Sequence, residues 1–300
     1  MIRSAFSRAS LPTALRASGL LALAGALALA GCGEPAREWP EPSPALWEVS
    51  GRNGEKAWLF GTIHALPDGV EWRTPAFEQA FAEARLLMVE IGDLGNSRAA
   101  ARAFEEFATT PGMPALSART APADRSAVDA LMDHAGMDDA DFWDTETWAA
   151  ALILANAVRE SEIGNGVDRD LLDQGKPVEA LETFAAQFAR FDRLSEADQR
   201  RFLAAVAREA RREDAEAQAE AWLTGDLPAL ESRVERELGS QPALRRALLT
   251  DRNAYFAARI VGTMEKGRAP FVAVGAGHML GPGGLPAELA ERGYTVRRLQ

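Results

Sequence analysis

The chain has a single cysteine, Cys32, and only three histidines in 300 residues. One cysteine rules out an internal disulfide and any zinc site built on thiolates. Clustered positive charge is also missing. Lys and Arg number 33 against 44 Asp and Glu, a net charge of −11, and a phosphate-binding surface needs the opposite balance, so nucleic acid is not an expected partner. There is no P-loop, no Gly-x-Ser-x-Gly elbow and no nucleophilic cysteine, which removes the commonest phosphoryl- and acyl-transfer signatures. The apolar run Leu20 to Ala30 is too short to span a bilayer.

What stands at the amino end is a targeting segment. Arg3, Arg8 and Arg16 form a positive region ahead of that apolar stretch, and the stretch closes on small residues. Leu29-Ala-Gly-Cys32 resembles the bacterial lipoprotein box. By that resemblance residues 1–31 are a lipoprotein signal peptide and Cys32 is the lipidation site, its acyl chains anchoring the protein in the cell envelope without a spanning helix. Position 34 is Glu rather than the Asp that favours inner-membrane retention, which points to the periplasmic face of the outer membrane. Residues 32–44, rich in Pro and Glu, read as a tether.

Residues 45–300 have ordinary globular composition, with nearly half the chain apolar. Leu46-Trp-Glu-Val49 and Ala57-Trp-Leu-Phe60, joined through Asn53-Gly54, predict a β-hairpin. Thr74-Pro75 reads as an N-cap and first helical position, followed by Phe77, Ala80, Phe81 and Ala84 at helical spacing. Leu86-Leu-Met-Val-Glu-Ile91 has the length and apolarity of a strand covered on both faces, with Glu90 near its end. Residues of about 97–250 read as a largely helical insertion. Within it, Asp141-Phe-Trp-Asp-Thr-Glu-Thr-Trp148 opens a helix whose apolar positions continue through Leu152 and Leu154, and Ser195 to Trp222 alternates charge as an amphipathic helix with a solvated face. Pro177 to Leu181 is a short strand candidate ending at Glu182. A helix from Thr250, a strand Phe271 to Val274, a helix near Leu285 and a last strand Thr295 to Leu299 complete the chain. The expected fold class is α/β: a largely parallel sheet with flanking helices, an N-terminal β-hairpin and an inserted helical subdomain.

Two of the three histidines, His64 and His278, follow apolar strands behind a Gly-x-x-His spacing, at Gly61 and Gly275. Glycine there is expected to let the backbone turn sharply out of the strand. Sites in open α/β sheets lie at the carboxyl ends of strands, where His64, Glu90, Glu182 and His278 all fall. Two neutral imidazoles and a carboxylate form a common open ligand set for a divalent metal.

Leu46-Trp-Glu-Val, Leu59-Phe-Gly-Thr-Ile-His64, Val89-Glu-Ile91, Gly166-Val-Asp168, Leu181-Glu-Thr183, Arg252-Asn253 and Val274-Gly-Ala-Gly-His278 resemble, in order, the motifs of the TraB/GumN family. That family is similar to the Tiki proteins, metal-dependent proteases of secreted signalling proteins, and its plasmid branch acts against peptide pheromones. The resemblance implies a membrane-anchored, metal-dependent hydrolase of peptidase type, binding manganese, cobalt or zinc through His64, Glu90 and His278, with Glu182, Arg252 and Asn253 as catalytic residues. Which glutamate is ligand and which is base stays open. The expected partners are a peptide or small-molecule substrate and the membrane reached through the N-terminal lipid. A non-catalytic metal- or haem-binding envelope lipoprotein is the alternative. The Arg252 fork suits a substrate carboxylate, Glu90 or a buried structural ion pair. Asp168 with Arg169 reads equally as a lid contact or as acid in the first turn of a helix. His134 has no glycine spacing and is expected on the surface, and Trp47, Trp58, Trp143 and Trp148 are expected to be packing residues.

Overall fold

Each strand of the sheet sends alternate side chains into two different cores, and that alternation decides what meets at the site. The structure, a computed structural model, describes residues 37–64, 66–158, 166–210 and 215–300. Cys32 and residues 1–31, the expected signal peptide, lie outside the described residues. Within the unit Trp39–Gln300 six strands are described: β1 (Leu46–Ser50), β2 (Lys56–Thr62), β3 (Leu86–Val89), β4 (Val178–Ala180), β5 (Pro270–Gly275) and β6 (Thr295–Arg298). They form one sheet in the order β4-β3-β5-β2-β1-β6. The pairings β4–β3, β3–β5 and β5–β2 are parallel, while β1 pairs antiparallel with β2 and β6. Gly54 carries the positive φ that the β1–β2 turn requires, at 85°. The mixed α/β architecture and N-terminal hairpin are those expected from the sequence.

In β2, Trp58 and Phe60 enter one core and Ala57 and Leu59 the other; β3 and β5 divide in the same way. The first core takes Phe77 and Phe81 from the helix Pro75–Glu83, Leu171 from the helix Val167–Leu172 and Trp222 from the helix Ala215–Leu223. Thr74 caps the Pro75–Glu83 helix, accepting from the Phe77 amide at 3.1 Å. The second core takes Phe256, Ile260 and Met264 from the helix Asp251–Glu265 and Leu285 and Leu289 from the helix Leu285–Glu291. Helices therefore cover both faces, as a buried parallel sheet requires.

Between β3 and β5 the described residues are mostly helical, with β4 as the named strand among them, and their helices bury two further apolar clusters, one around Leu131, Phe142, Leu154 and Leu203 and one around Trp148 and Phe191. Three local expectations change here. The helix opens only at the end of the Asp141–Trp148 segment: a single 3-10 turn, Asp139–Phe142, precedes the helix Thr147–Ala157. Between them Thr145 bridges Thr109, with the Thr110 amide on the Asp144 carbonyl and the Glu146 amide on the Ala108 carbonyl, while buried Arg119 donates to the carbonyls of Phe142 and Thr145 at 2.6 Å each. Trp143 is 59% exposed instead of packed. Ser195 to Trp222 supplies two described helices, Glu196–Glu209 and Ala215–Leu223, in place of one.

Phe60 is the packing centre of the first core. Its ring lies 5.2 Å from Phe77, 5.7 Å from Trp72, 5.9 Å from Phe271 and 6.2 Å from Trp222, centroid to centroid. Phe60→Ala is expected to lower the unfolding free energy by about 3–5 kcal/mol in urea titrations, with an unchanged denaturant slope.

Candidate metal site

Glu90 follows β3 on the Leu86/Met88 face, the face covered by the helix Asp251–Glu265. That helix buries Arg252, Asn253, Phe256, Ala257 and Ile260 along one stripe, so its first turn carries Arg252 and Asn253 into the sheet's rim one turn ahead of the core contacts. The Arg252 guanidinium bonds both Glu90 and Glu182 through Nη2. Its Nη1 donates to the Leu248 carbonyl at 3.0 Å. Arg190, from the helix Phe184–Asp192, adds a second cation 3.5 Å from Glu182 Oε2. Arg252 and Glu182 are buried. Burial works against the Arg252 cation, but Glu90 and Glu182 more than offset it and raise its pKa above the ordinary value.

The two carboxyls sharing this cation are held apart electrostatically. Burial pushes Glu90 up, but His278, Arg252, His64 and the Gly275 amide outweigh it and leave the carboxyl at about 2. Burial raises Glu182, Arg252 only partly counters that, and neighbouring Glu90 raises it further. Glu182 Oε2 is buried without a hydrogen bond.

His278 lies on the turn Ala276–Met279 after β5 and is 3% exposed. Its Nδ1 stands 2.6 Å from Asn253 Oδ1, and Asn253 Nδ2 donates to the Gly283 carbonyl at 2.6 Å. The Gly283 carbonyl fixes which end of the amide faces the ring: Oδ1 can only accept, so His278 Nδ1 carries the proton and Nε2 the lone pair. That lone pair faces Glu90 Oε1 at 3.7 Å, too far for a hydrogen bond. Burial lowers His278 to a pKa of about 4 despite Glu90, with Arg252 and His64 adding to the fall. The imidazole is neutral at pH 7.

His64 arrives from the other strand. The Gly275 amide donates to Glu90 Oε1 at 2.8 Å, and a Cβ on Gly275 would sit 3.3 Å from that oxygen and 3.6 Å from His64 Nε2. Gly275 has an ordinary φ of −48°, and Gly61 is not among the positive-φ residues. The glycines of the two Gly-x-x-His segments thus serve close approach, not a sharp turn. At Gly61 a Cβ would meet the Ala276 Cα at 3.0 Å.

His64, Glu90, Glu182, Arg252, Asn253 and His278 are therefore gathered at one rim of the sheet, the carboxyl ends of β2, β3, β4 and β5. Sequence reasoning left the role of one neighbour, Asp168, undecided and missed another, Arg190. Asp168 accepts from Thr62 and lies against His64 Nδ1, as described below, and Arg190 flanks Glu182. Arg190 had no motif to mark it; Asp168 stood in the quoted Gly-Val-Asp segment with its role undecided. His134 is exposed, and Trp47, Trp58 and Trp148 are buried.

The donor set fits a divalent cation in its chemistry: two imidazole nitrogens and one ionised carboxylate oxygen, with the second ring nitrogen of each histidine engaged behind it. Among the described residues no three such side chains already stand at ligating spacing. The TraB/PrgY/gumN family matches residues 45–298, nearly all of the described chain. No curated protein and no solved structure matches it.

The His278 environment sets a pH dependence. Its pKa is lower in the folded state than the ordinary 6.5, so the unfolded chain binds the extra proton and stability falls as pH drops from about 6.5 to about 4. In the metal-stripped protein, unfolding free energy is expected to fall through that window by up to about 1.4 kcal/mol per pH unit more steeply than in His278→Gln, measured by urea titration at stepped pH.

Proposed function

The chain belongs to the TraB/PrgY/gumN family, and we propose that within it this protein is a metal-dependent hydrolase of peptide bonds, held at the cell envelope by lipid on Cys32. The observation that carries the reading is the pair His278 Nε2 and Glu90 Oε1, a lone pair turned toward an ionised carboxylate at 3.7 Å. The Gly275 amide donates to the same oxygen, and a cation between the two electron-rich atoms would add to that stabilisation.

His64, Glu90 and His278 are the groups that would hold the ion. A divalent ion bound there would polarise the scissile carbonyl and lower the pKa of water beside it. Arg252 keeps Glu90 ionised and so keeps it a ligand. Glu182, whose pKa is raised and whose Oε2 is buried without a hydrogen bond, is the carboxyl suited to take a proton from the attacking water and return it to the leaving amine. Arg252 ties the two carboxyls into one unit, so the proton moves in a fixed geometry. Asn253 holds His278 in the tautomer that ligates.

The lipid places this chemistry at the periplasmic face of an outer membrane, where exported or emerging peptides are the available substrates. No described helix is long and apolar enough to cross a membrane.

Incubated with a library of unstructured peptides and Mn²⁺ or Co²⁺, the soluble chain beginning after Cys32 is expected to cleave, and chelation is expected to stop it. His64→Ala and His278→Ala are each expected to reduce cleavage by at least 10³-fold, and Glu182→Gln by about 10²–10⁴-fold with metal affinity retained. Cleavage that survives either histidine substitution rules the site out. Metal-independent behaviour with a Soret band on adding haem would instead favour the binding protein.

A further inference from the structure

His64 differs from His278 in being poorly covered: its side chain is 64% exposed against 4%. It lies two residues beyond the end of β2, where strand hydrogen bonds no longer fix it. What fixes it comes from a segment 104 residues later in the chain. Asp168 Oδ2 stands 2.8 Å from His64 Nδ1, and Asp168 Oδ1 accepts from the Thr62 hydroxyl at 2.5 Å. Thr62 shares the face of Trp58 and Phe60, which is the face the helix Val167–Leu172 packs on through Val167 and Leu171. The backbone joins in: the Val167 amide donates to the Ile63 carbonyl at 3.0 Å, and any Cβ on Gly166 would run into the His64 carbonyl.

We infer that Asp168 is the positioning residue of the site, a carboxylate that holds the proton of His64 on Nδ1 and presents Nε2 toward Glu90 and His278. The inference rests on the reading of His64 as a ligand. An ionised carboxylate accepts only, so the ring nitrogen facing it must donate. Thr62 aims the carboxylate by occupying its other oxygen, and Gly166 lets the two segments close. The helical insertion thereby takes part in the site: it supplies no ligand of the three, yet it sets the orientation of the one ligand the sheet leaves exposed. His278 receives the same service from Asn253, so each ring is backed by an oxygen from a helix, a carboxylate on one side and an amide carbonyl on the other. Carboxylate-backed imidazoles are stronger and better aligned metal ligands, and losing the backing group typically costs 10–100-fold in affinity.

Ring ¹⁵N shifts test this directly, because only three histidines contribute and His64→Ala assigns the resonance. In the chelator-treated wild-type protein at neutral pH, His64 is expected in the Nδ1–H form. In Asp168→Ala it is expected to move toward the Nε2–H form while His278 is unchanged. Mn²⁺ binding, followed by electron paramagnetic resonance of the free ion, is expected to weaken 10–100-fold in Asp168→Ala, and by less in Thr62→Val. A wild-type His64 found in the Nε2–H form overturns the inference without any variant, as does an Asp168→Ala protein that keeps both the Nδ1–H form and an Mn²⁺ affinity within twofold of wild type. If wild-type protein binds no Mn²⁺ at all, the ligand reading above fails, and the His64 tautomer alone still decides what Asp168 does.

Discussion

The guanidinium of Arg252, shared between Glu90 and Glu182, is the interaction on which the rim depends. It joins three elements far apart in sequence, the ends of β3 and β4 and the first turn of the helix Asp251–Glu265, in a place where Arg252 and Glu182 are buried. Removing the cation would leave two carboxyls facing each other, with Arg190 beside Glu182 and the Gly275 amide on Glu90 as partial compensation. A buried pair of this kind is a poor device for stability, because desolvation of the charges consumes most of what their attraction returns. Its retention at the carboxyl ends of the central strands, beside two histidines, fits a task of holding ionised and protonatable groups in fixed places.

The sheet and the helices divide that task. Strand ends deliver Glu90, His64 and His278, and strand parity dictates which helix each will meet. Glu90 shares a face with Leu86 and Met88 and so meets the Asp251–Glu265 helix; Thr62 shares a face with Trp58 and Phe60 and so meets the Val167–Leu172 helix. Each helix answers with a side chain that orients a donor instead of donating itself: Arg252 for Glu90, Asn253 for His278, Asp168 for His64. The apolar stripe of each helix does the aiming. Phe256 and Ile260 in one, Val167 and Leu171 in the other, lock the helices on the sheet through burial of each side chain worth about 1.5–3 kcal/mol, and the polar residue one turn away is carried to its place.

How much of this could be read beforehand follows from the range of the interactions. The hairpin at Asn53-Gly54, the Thr74 cap and the apolar runs that became β2, β3 and β5 depend on neighbours in sequence, and local pattern carried them. The strand ahead of Glu182 was legible for the same reason. The strand-end histidines stood out because the chain has so few. Illegible features were those set by distant partners. The break between Asp139–Phe142 and Thr147–Ala157 goes with the pairing of Thr145 to Thr109 and with Arg119 on two carbonyls. Asp168 could be placed in the first turn of a helix, but nothing local said that the turn would close on His64. The glycines before the histidines were noticed for the wrong reason: their backbone angles are ordinary, and it is the packing of β2 against the turn after β5 that leaves no room for a Cβ. The contacts of Asp168 and of the two glycines cross a hundred residues or more, where periodicity carries no information.

The contact between His278 and Glu90 can be taken two ways, and the choice matters for the chemistry. By distance alone, 3.7 Å from Nε2 to Oε1, it is an ion pair. That requires an imidazolium, and the surroundings oppose one: burial and the nearby Arg252 hold the ring's pKa at about 4 although Glu90 pulls the other way. Asn253 settles which nitrogen has the one remaining proton, because its own amide is committed to the Gly283 carbonyl. With the proton on Nδ1, the unprotonated Nε2 and the ionised oxygen of Glu90 stand 3.7 Å apart, too far for a hydrogen bond, and repel each other. Arg252 on the far oxygen and the Gly275 amide on Oε1 itself ease that repulsion without bridging the two atoms. A proton on the ring would relieve it only at acidic pH. On the proposed reading, the group that relieves it at neutral pH is a cation held by these same two atoms, and the structure that keeps His278 uncharged is what keeps that place open for it.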